Sequence, residues 1–175
     1  MKFTKIIYTV FVFSLIAFSI QLYAEDQNQV RIYFDKQNRQ VGPTYNWTYF
    51  RLTILNKFHR SEGPVIDKWR NGVTKAKGIC KNGLESGPWI YFHSNGAKEK
   101  QGVYKNGLRV GKWQFWHDNG KLDREGNYIN GLVDGLWTFY HKNGVKKAEG
   151  IYKMGKYVRN TWKRWDDSGK LKEEY

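Results

Sequence analysis

From Gly78 to Tyr175 the apolar and polar positions recur with a period of 24 residues. Gly78, Gly102, Gly126 and Gly150 keep this step. So do Gly87, Gly111 and Gly135; Trp89, Trp113 and Trp137; and the pairs Asn82-Gly83, Asn106-Gly107 and Asn130-Gly131. A fixed period of roughly 20–50 residues marks a repeat architecture. Asn-Gly between strands favours a type I′ hairpin, because both central residues need positive φ. A second turn signal follows at Ser94-Asn95-Gly96, Asp118-Asn119-Gly120 and Lys142-Asn143-Gly144. Between the two turns the pattern predicts a short strand such as Lys112–His117, and after the second a longer polar strand such as Lys121–Ile129. Each unit is therefore a hairpin, and successive hairpins pair edge to edge. With strands about 4.8 Å apart, each unit advances the sheet by roughly 10 Å. The expected fold is all-β, with units at 78–101, 102–125, 126–149 and 150–175.

Strand alternation sorts the aromatic residues. Trp113 and Phe115 point to one face and Trp116 to the other. The same holds for Trp137, Phe139 and Tyr140, and for Trp89, Tyr91 and Phe92. Like positions stack into ladders, which supply the burial that a lone hairpin lacks. Trp89, Trp113, Trp137, Tyr104, Tyr128 and Tyr152 form the expected structural core, with the Trp113 indole between Trp89 and Trp137. The opposite series, Phe92, Trp116, Tyr140 and Trp165, is the candidate binding face. In the last unit Met154 replaces the turn asparagine, Arg159 stands at a glycine position and one residue is inserted. Trp162 and Trp165 then align with Trp137 and Tyr140, and Ser168-Gly169 with Asn143-Gly144. Lys170–Tyr175 reads as a charged final edge.

Residues 25–77 read as lead-in strands and a degenerate N-terminal cap. Val30–Phe34 has strand composition and Asp35–Pro43 turn chemistry. Tyr45, Trp47 and Tyr49 alternate with Asn46, Thr48 and Phe50 as in a strand that Arg51–Leu55 continues. Asn56–Pro64 reads as a polar connection, and Val65–Trp69 as a further strand closed by Asn71-Gly72. Residues 1–24 read as a signal helix: Lys2 and Lys5 precede an apolar run from Ile6 to Ile20, and Leu22-Tyr23-Ala24 can serve as a cleavage site. The run is shorter than the roughly 18 apolar residues of a secure membrane span. The expected chain is exported, to the periplasm or to the cell surface or secreted, the alternative being a chain anchored by an uncleaved N-terminal helix. No cysteine directly follows the run, which excludes a lipoprotein anchor.

Composition adds three constraints. Aromatic residues make up 17% of the chain, with 8 Trp and 12 Tyr, which a disordered chain does not carry. The formal net charge is +14, or +12 without Lys2 and Lys5. That charge suits an acidic partner, or a lysine-rich edge that keeps exposed strands soluble. The single cysteine, Cys80, excludes an intrachain disulfide and stands where other units carry Tyr104, Tyr128 and Tyr152, so it reads as core filling.

No catalytic set emerges. His93, His117 and His141 share one register, but nitrogens on one zinc ion lie within roughly 4 Å of each other. Equivalent residues of neighbouring units stand roughly 10 Å apart. The histidines therefore read as polar residues flanking the turn, and no metal or other cofactor is expected. Glu125 and Glu149 recur singly, with Gln101 at the same position, and Asp166-Asp167 lies at the worn end. Gly-x-Ser-x-Gly, phosphate-loop and His-Glu-x-x-His motifs are absent from the sequence. Nucleic acid is a poor partner for an exported chain whose Lys and Arg are spread over every turn.

The pattern Gly-x-Tyr-x-Asn-Gly-x-x-x-Gly-x-Trp-x-Phe-Tyr-His-x-Asn-Gly, as it stands at 126–144, resembles the MORN repeat. It is most similar to the bacterial variant found in YwqK-type antitoxin-like proteins, whose openings Tyr49-Phe50-Arg51 and Asn71-Gly72 also resemble. The resemblance covers residues 78–175 strongly. It implies an elongated, twisted antiparallel β-meander with a binding or scaffold role and no chemistry. It also implies partners among proteins, membranes and anionic lipids and, for the antitoxin subgroup, a toxin. The expected function is thus a non-enzymatic, exported interaction module for a protein or envelope component. The alternatives are an antitoxin or immunity protein and an anionic-lipid binder.

Overall fold

The computed structural model describes residues 29–44 and 46–174. The expected signal helix over 1–24 and the side chain of Tyr45 lie outside them. Among the described residues fourteen strands form one open antiparallel sheet. They are β1 (Gln29–Phe34), β2 (Gln40–Val41), β3 (Tyr49–Leu55), β4 (Ser61–Trp69), β5 (Thr74–Lys81), β6 (Leu84–Phe92) and β7 (Lys98–Lys105). Then come β8 (Leu108–Trp116), β9 (Leu122–Ile129), β10 (Leu132–Tyr140), β11 (Lys146–Lys153), β12 (Lys156–Tyr157), β13 (Lys163–Trp165) and β14 (Leu171–Glu174). From β3 to β11 each strand pairs with the next in sequence. At the N-terminal end β1 lies between β2 and β3, so β2 is the edge. At about 4.8 Å per strand the sheet extends roughly 60 Å.

The Asn-Gly turns take the conformation that their sequence demands. Asn106 has φ 51° and Gly107 φ 77°, and the turns at Asn82 and Asn130 match them. Both central residues are left-handed, as a type I′ turn requires. Met154 adopts φ 48° in the worn unit, a region that is strained for a side chain of its kind. Each turn also binds its neighbour. The Gly83, Gly107, Gly131 and Gly155 amides donate to the carbonyls of Ser61, Glu85, Arg109 and Val133, one unit back.

The strand expected over Lys112–His117 is longer, running from Leu108 to Trp116. Gly111 interrupts the apolar pattern, yet the strand passes through it as a bulge. Val110 pairs with Val103 and Gln114 with Gln101, so Gly111, Lys112 and Trp113 together face Gly102. Gly111 takes φ 65°, which a side chain would resist. The bulge is the reason for the second glycine series. The expected connection Asn56–Pro64 is also shorter, because β4 starts at Ser61. Polar Ser61 and Gly63 pair through their backbones with Leu55 and Cys80. The expected strand over residues 45–50 begins only at Tyr49, so alternation does not extend to Trp47. Trp47 packs on Tyr33 and Phe50, whereas Tyr49 stacks on Phe34.

One face of the sheet carries the tryptophans as rungs. A side-chain carbon built on Gly102 would lie 2.2 Å from the Trp113 ring. Gly78 beneath Trp89, Gly126 beneath Trp137 and Gly150 beneath Trp162 repeat this approach. Each indole Nε1 then donates to the carbonyl one residue past its glycine: Trp89 to Ile79 at 3.0 Å, Trp113 to Val103 at 3.2 Å and Trp137 to Asn127 at 3.2 Å. The rings between the rungs are tyrosines. Tyr104 meets Trp113 edge-on at 4.9 Å and Trp89 at 6.2 Å, and Tyr128 meets Trp137 at 5.3 Å and Trp113 at 6.1 Å. The Trp113 indole, 0% exposed, is thus covered by Tyr104 and Tyr128, and Trp89 belongs to a neighbouring cluster with Val65, Ala76 and Cys80. The expected direct flanking by Trp89 is corrected by the glycines, which let each ring lie down on its own preceding strand.

The last unit keeps the rung but loses its hydrogen bond. The inserted residue splits the strand into β12 and β13, both paired with β11. Val158 N and Ile151 O bond at 2.9 Å across the break, and the Trp162 indole nitrogen is buried without a partner. Gly102→Ala is therefore expected to lower the melting temperature as severely as loss of the Trp113 rung itself. Gly120→Ala, at an exposed turn with open space around it, costs only its left-handed conformation, of order 1 kcal/mol. Thermal melts of the two variants read the difference.

Candidate functional site

The two faces offer different chemistry. On the rung face, cations lie across the aromatic rings: Lys75 over Tyr49 at 3.4 Å, Lys100 over Tyr91 at 4.5 Å, Arg124 over Phe115 at 4.3 Å and Arg109 over Trp113 at 4.6 Å. Arg109 also donates to the Tyr128 hydroxyl. Such contacts close the sheet over its aromatic core, because a stacked cation covers a ring that no second layer among the described residues protects. Sequence reasoning missed them. The signal was present: Lys100 and Arg124 stand one period apart, two residues before a glycine. Towards the N-terminal end the rung face buries an ion pair. Arg51 Nε and its second terminal nitrogen donate to the Asp67 carboxylate at 2.8 and 3.0 Å. Burial opposes the Arg51 charge, but the two-point bond to Asp67 holds it firmly protonated.

The opposite face carries Phe92, Trp116, Tyr140 and Trp165 along one edge, all half-buried. Lys98 Nζ lies 4.6 Å above the Trp116 ring and donates to Gln101. Lys146 Nζ lies 5.2 Å above Trp165 and pairs with Glu149 at 2.8 Å. A polar rail crosses the middle of this face. Gln101 Nε2 donates to Gln114, Gln114 Nε2 donates to Glu125, and Lys112 pairs with Glu125 at 2.9 Å. The bond from Lys112 holds the Glu125 carboxyl below its usual range. The recurring carboxylates are thus engaged with lysine and amide groups of the same face. Beside the rail lie Ile79, Val103, Leu136 and Ile151, each exposed over more than 40% of its surface.

Of the expected core residues, Trp89, Trp113 and Trp137 are buried, and Tyr104, Tyr128 and Tyr152 are half-buried between them. The histidines tie repeats together. His93, His117 and His141 Nε2 lie 2.9, 3.2 and 3.0 Å from the carbonyls of Trp116, Tyr140 and Trp165. A carbonyl only accepts, so Nε2 carries the proton in each. Asn95, Asn119 and Asn143 do the same one turn on, donating to the carbonyls of Asp118, Lys142 and Asp167. The row Phe92–Trp116–Tyr140–Trp165 therefore sits on an edge in which every unit is bonded to the next. Among the described residues no three His, Cys, Asp or Glu side chains gather as a metal set.

Residues 85–106, 109–130, 133–154 and 160–175 match the family described as MORN repeat variant. Over these four segments the chain is similar to that family. In its phasing each full unit opens after an Asn-Gly turn and spans the hairpins β6–β7, β8–β9 and β10–β11. No curated protein matches the chain.

Trp113→Ala and Trp116→Ala separate the two faces. Removing the fully buried Trp113 is expected to cost about 3–5 kcal/mol, as aromatic-to-alanine changes in cores do. Trp116→Ala, removing a half-buried ring, costs clearly less, and denaturant titration of both variants measures the gap. The lone thiol gives a second test. Burial pushes the Cys80 thiol up from 9.0 to about 11, with Arg51 partly opposing. The folded chain holds that proton more tightly than the unfolded one, so its contribution is whole below pH 9.0 and is lost as pH rises through about 11. Stability of the parent chain is expected to fall more steeply over this window than that of Cys80→Ala.

Proposed function

We propose that this array of MORN-variant repeats is an exported, non-enzymatic module that binds a protein or another envelope component along the face bearing Phe92, Trp116, Tyr140 and Trp165. Repeats of this family are non-catalytic and serve protein or membrane interaction. The observation that carries the finer reading is the row itself. Four large rings stand at one edge of one face, each half-exposed and held in step by hydrogen bonds from His93, His117 and His141. Rigid aromatic groups presented at fixed spacing lose little entropy on binding, and such residues dominate interface energetics. The exposed aliphatic side chains of Ile79, Val103, Leu136 and Ile151 extend the same surface. Export rests on the basic and apolar composition of residues 1–24.

Charge favours a second reading, an anionic membrane surface. The chain carries +14, and Lys98 and Lys146 lie against Trp116 and Trp165, which pairs a cation with a ring suited to the headgroup region. The two readings predict different behaviour. A protein partner is retained from envelope extract by residues 25–175 and is lost by Trp116→Ala–Tyr140→Ala, a variant that remains folded. An anionic surface retains the chain on vesicles containing anionic lipid, less so as salt rises. Full-length protein found only in the cytosol, or a partner held equally by the double variant, contradicts the proposal.

A further inference from the structure

On the face opposite the rungs, aromatic rings alternate with other side chains from strand to strand. Phe92 pairs across from Lys98, Trp116 from Leu122 and Tyr140 from Lys146, and Trp165 follows on β13. Each ring is thus two strands from the next, about 9.6 Å. The bonds from His93, His117 and His141 to the carbonyls of the last three rings hold this step. Lys98, Leu122 and Lys146 occupy the three gaps between the rings, and they differ in charge. Lys146 is paired with Glu149 at 2.8 Å. Lys98 is exposed, donates to the uncharged amide of Gln101, and has no carboxylate partner among the described residues. The row also offers hydrogen-bond donors. The rung indoles of Trp89, Trp113 and Trp137 are bonded to carbonyls. The Trp116 and Trp165 indole N–H groups have no acceptor among the described residues and are open to solvent.

Resting on the reading that this row is the binding face, we propose that it takes a proline-rich segment in the polyproline II conformation that carries one acidic residue. Such a chain repeats every three residues, about 9.3 Å, so each gap receives one turn at nearly the step of the rings. Over the two steps between the outer gaps the mismatch is about 0.6 Å. An α-helix presents the same side every seven residues, about 10.5 Å, and drifts by roughly 2 Å over that length. A straight helix also cannot follow a row whose strands rotate by roughly 20–25° at each step. In a β-strand, residues three apart point to opposite sides. A polyproline II chain has no internal hydrogen bonds, so its carbonyls are free to accept from Trp116 and Trp165. Prolines pack between the rings over Leu122 and over the aliphatic stem of Lys146. The acidic residue meets Lys98, the cation without a carboxylate. The ligand therefore reads acidic-x-x-Pro-x-x-Pro, in one chain direction or the other.

The test is an NMR titration of the chain with the peptide Pro-Glu-Pro-Pro-Pro-Pro-Pro-Pro-Pro, followed at the indole N–H signals. Saturable shifts are expected at Trp116 and Trp165, and none at Trp113 on the other face. The peptide Gly-Glu-Gly-Gly-Pro-Gly-Gly-Pro-Gly keeps the three contact residues without the preformed conformation, and is expected to bind at least about tenfold more weakly. Replacing the Glu of the first peptide by Gln is expected to weaken its binding to the parent several-fold and to leave its binding to Lys98→Gln unchanged. Lys98 is exposed, so this comparison removes no ring and does not put the fold at risk. Absence of saturable shifts at Trp116 and Trp165 overturns the proposal. So does a glycine peptide bound as tightly as the proline peptide, or a loss from Glu to Gln that is equal in the parent and in Lys98→Gln. If the proline peptide does not bind while an envelope partner is still retained by the parent and lost by Trp116→Ala–Tyr140→Ala, this inference falls and the binding face stands.

Discussion

The contact on which the rest of the structure depends is a tryptophan ring lying on the bare backbone of a glycine. Among the described residues the sheet has no second sheet or helix to bury its apolar face. Here the layer is thickened from within. Because Gly102 has no side chain, the Trp113 indole lies down on the strand before it and reaches the Val103 carbonyl with its nitrogen. Tyr104 and Tyr128 stand edge-on to the flattened ring and fill the space towards the next rungs. A ring held this way buries area that an upright tryptophan would leave in water, and at roughly 25 cal/mol per Å² this is the main stabilising term available to such a fold. The bulge at Gly111 belongs to the same device, since it sets three residues, ending at Trp113, against the single residue Gly102.

The two margins of the sheet lock the units in register. At one margin, turn glycines bond to the carbonyls of the preceding unit, and Leu84, Leu108 and Leu132 pack on Gly107, Gly131 and Gly155. At the other, histidines and asparagines bond forward to the next unit. These polar contacts satisfy backbone groups that a turn would otherwise leave to water, and they carry no chemistry of their own. The aromatic row on the opposite face inherits its spacing from them. The proposed binding surface is therefore a by-product of the same repetition that makes the core, with lysines placed beside two of its rings.

Much of this was legible in the sequence because the period is strict. The turn glycines, the tryptophan rungs and the assignment of Trp113 and Phe115 to one face follow from spacing and alternation alone. What could not be read was the third dimension of each glycine. Gly102 and Gly111 look alike as letters, yet one makes room for a ring and the other takes a left-handed conformation inside a strand. The strand limits at Leu108 and Ser61 were missed for that reason: glycine and polar residues read as breaks where the backbone goes on pairing. The cations over Tyr91 and Phe115 were missed because a lysine on a strand reads as solvated. The partner stays a proposal because a repeat surface records spacing and charge rather than the shape of one ligand.

Exchange of the indole Nε1 protons with solvent, followed by NMR under native conditions, tests the central claim most directly. The rungs at Trp89, Trp113 and Trp137 are each buried over a glycine and bonded to a carbonyl, so their indole protons are expected to exchange only with global unfolding, at one common rate. Trp162 is buried over Gly150 but has no acceptor, and its proton is expected to exchange much faster. Equal protection of all four, or exchange of Trp113 through local opening well before the chain unfolds, would contradict the account that tryptophans locked onto glycines hold the array together.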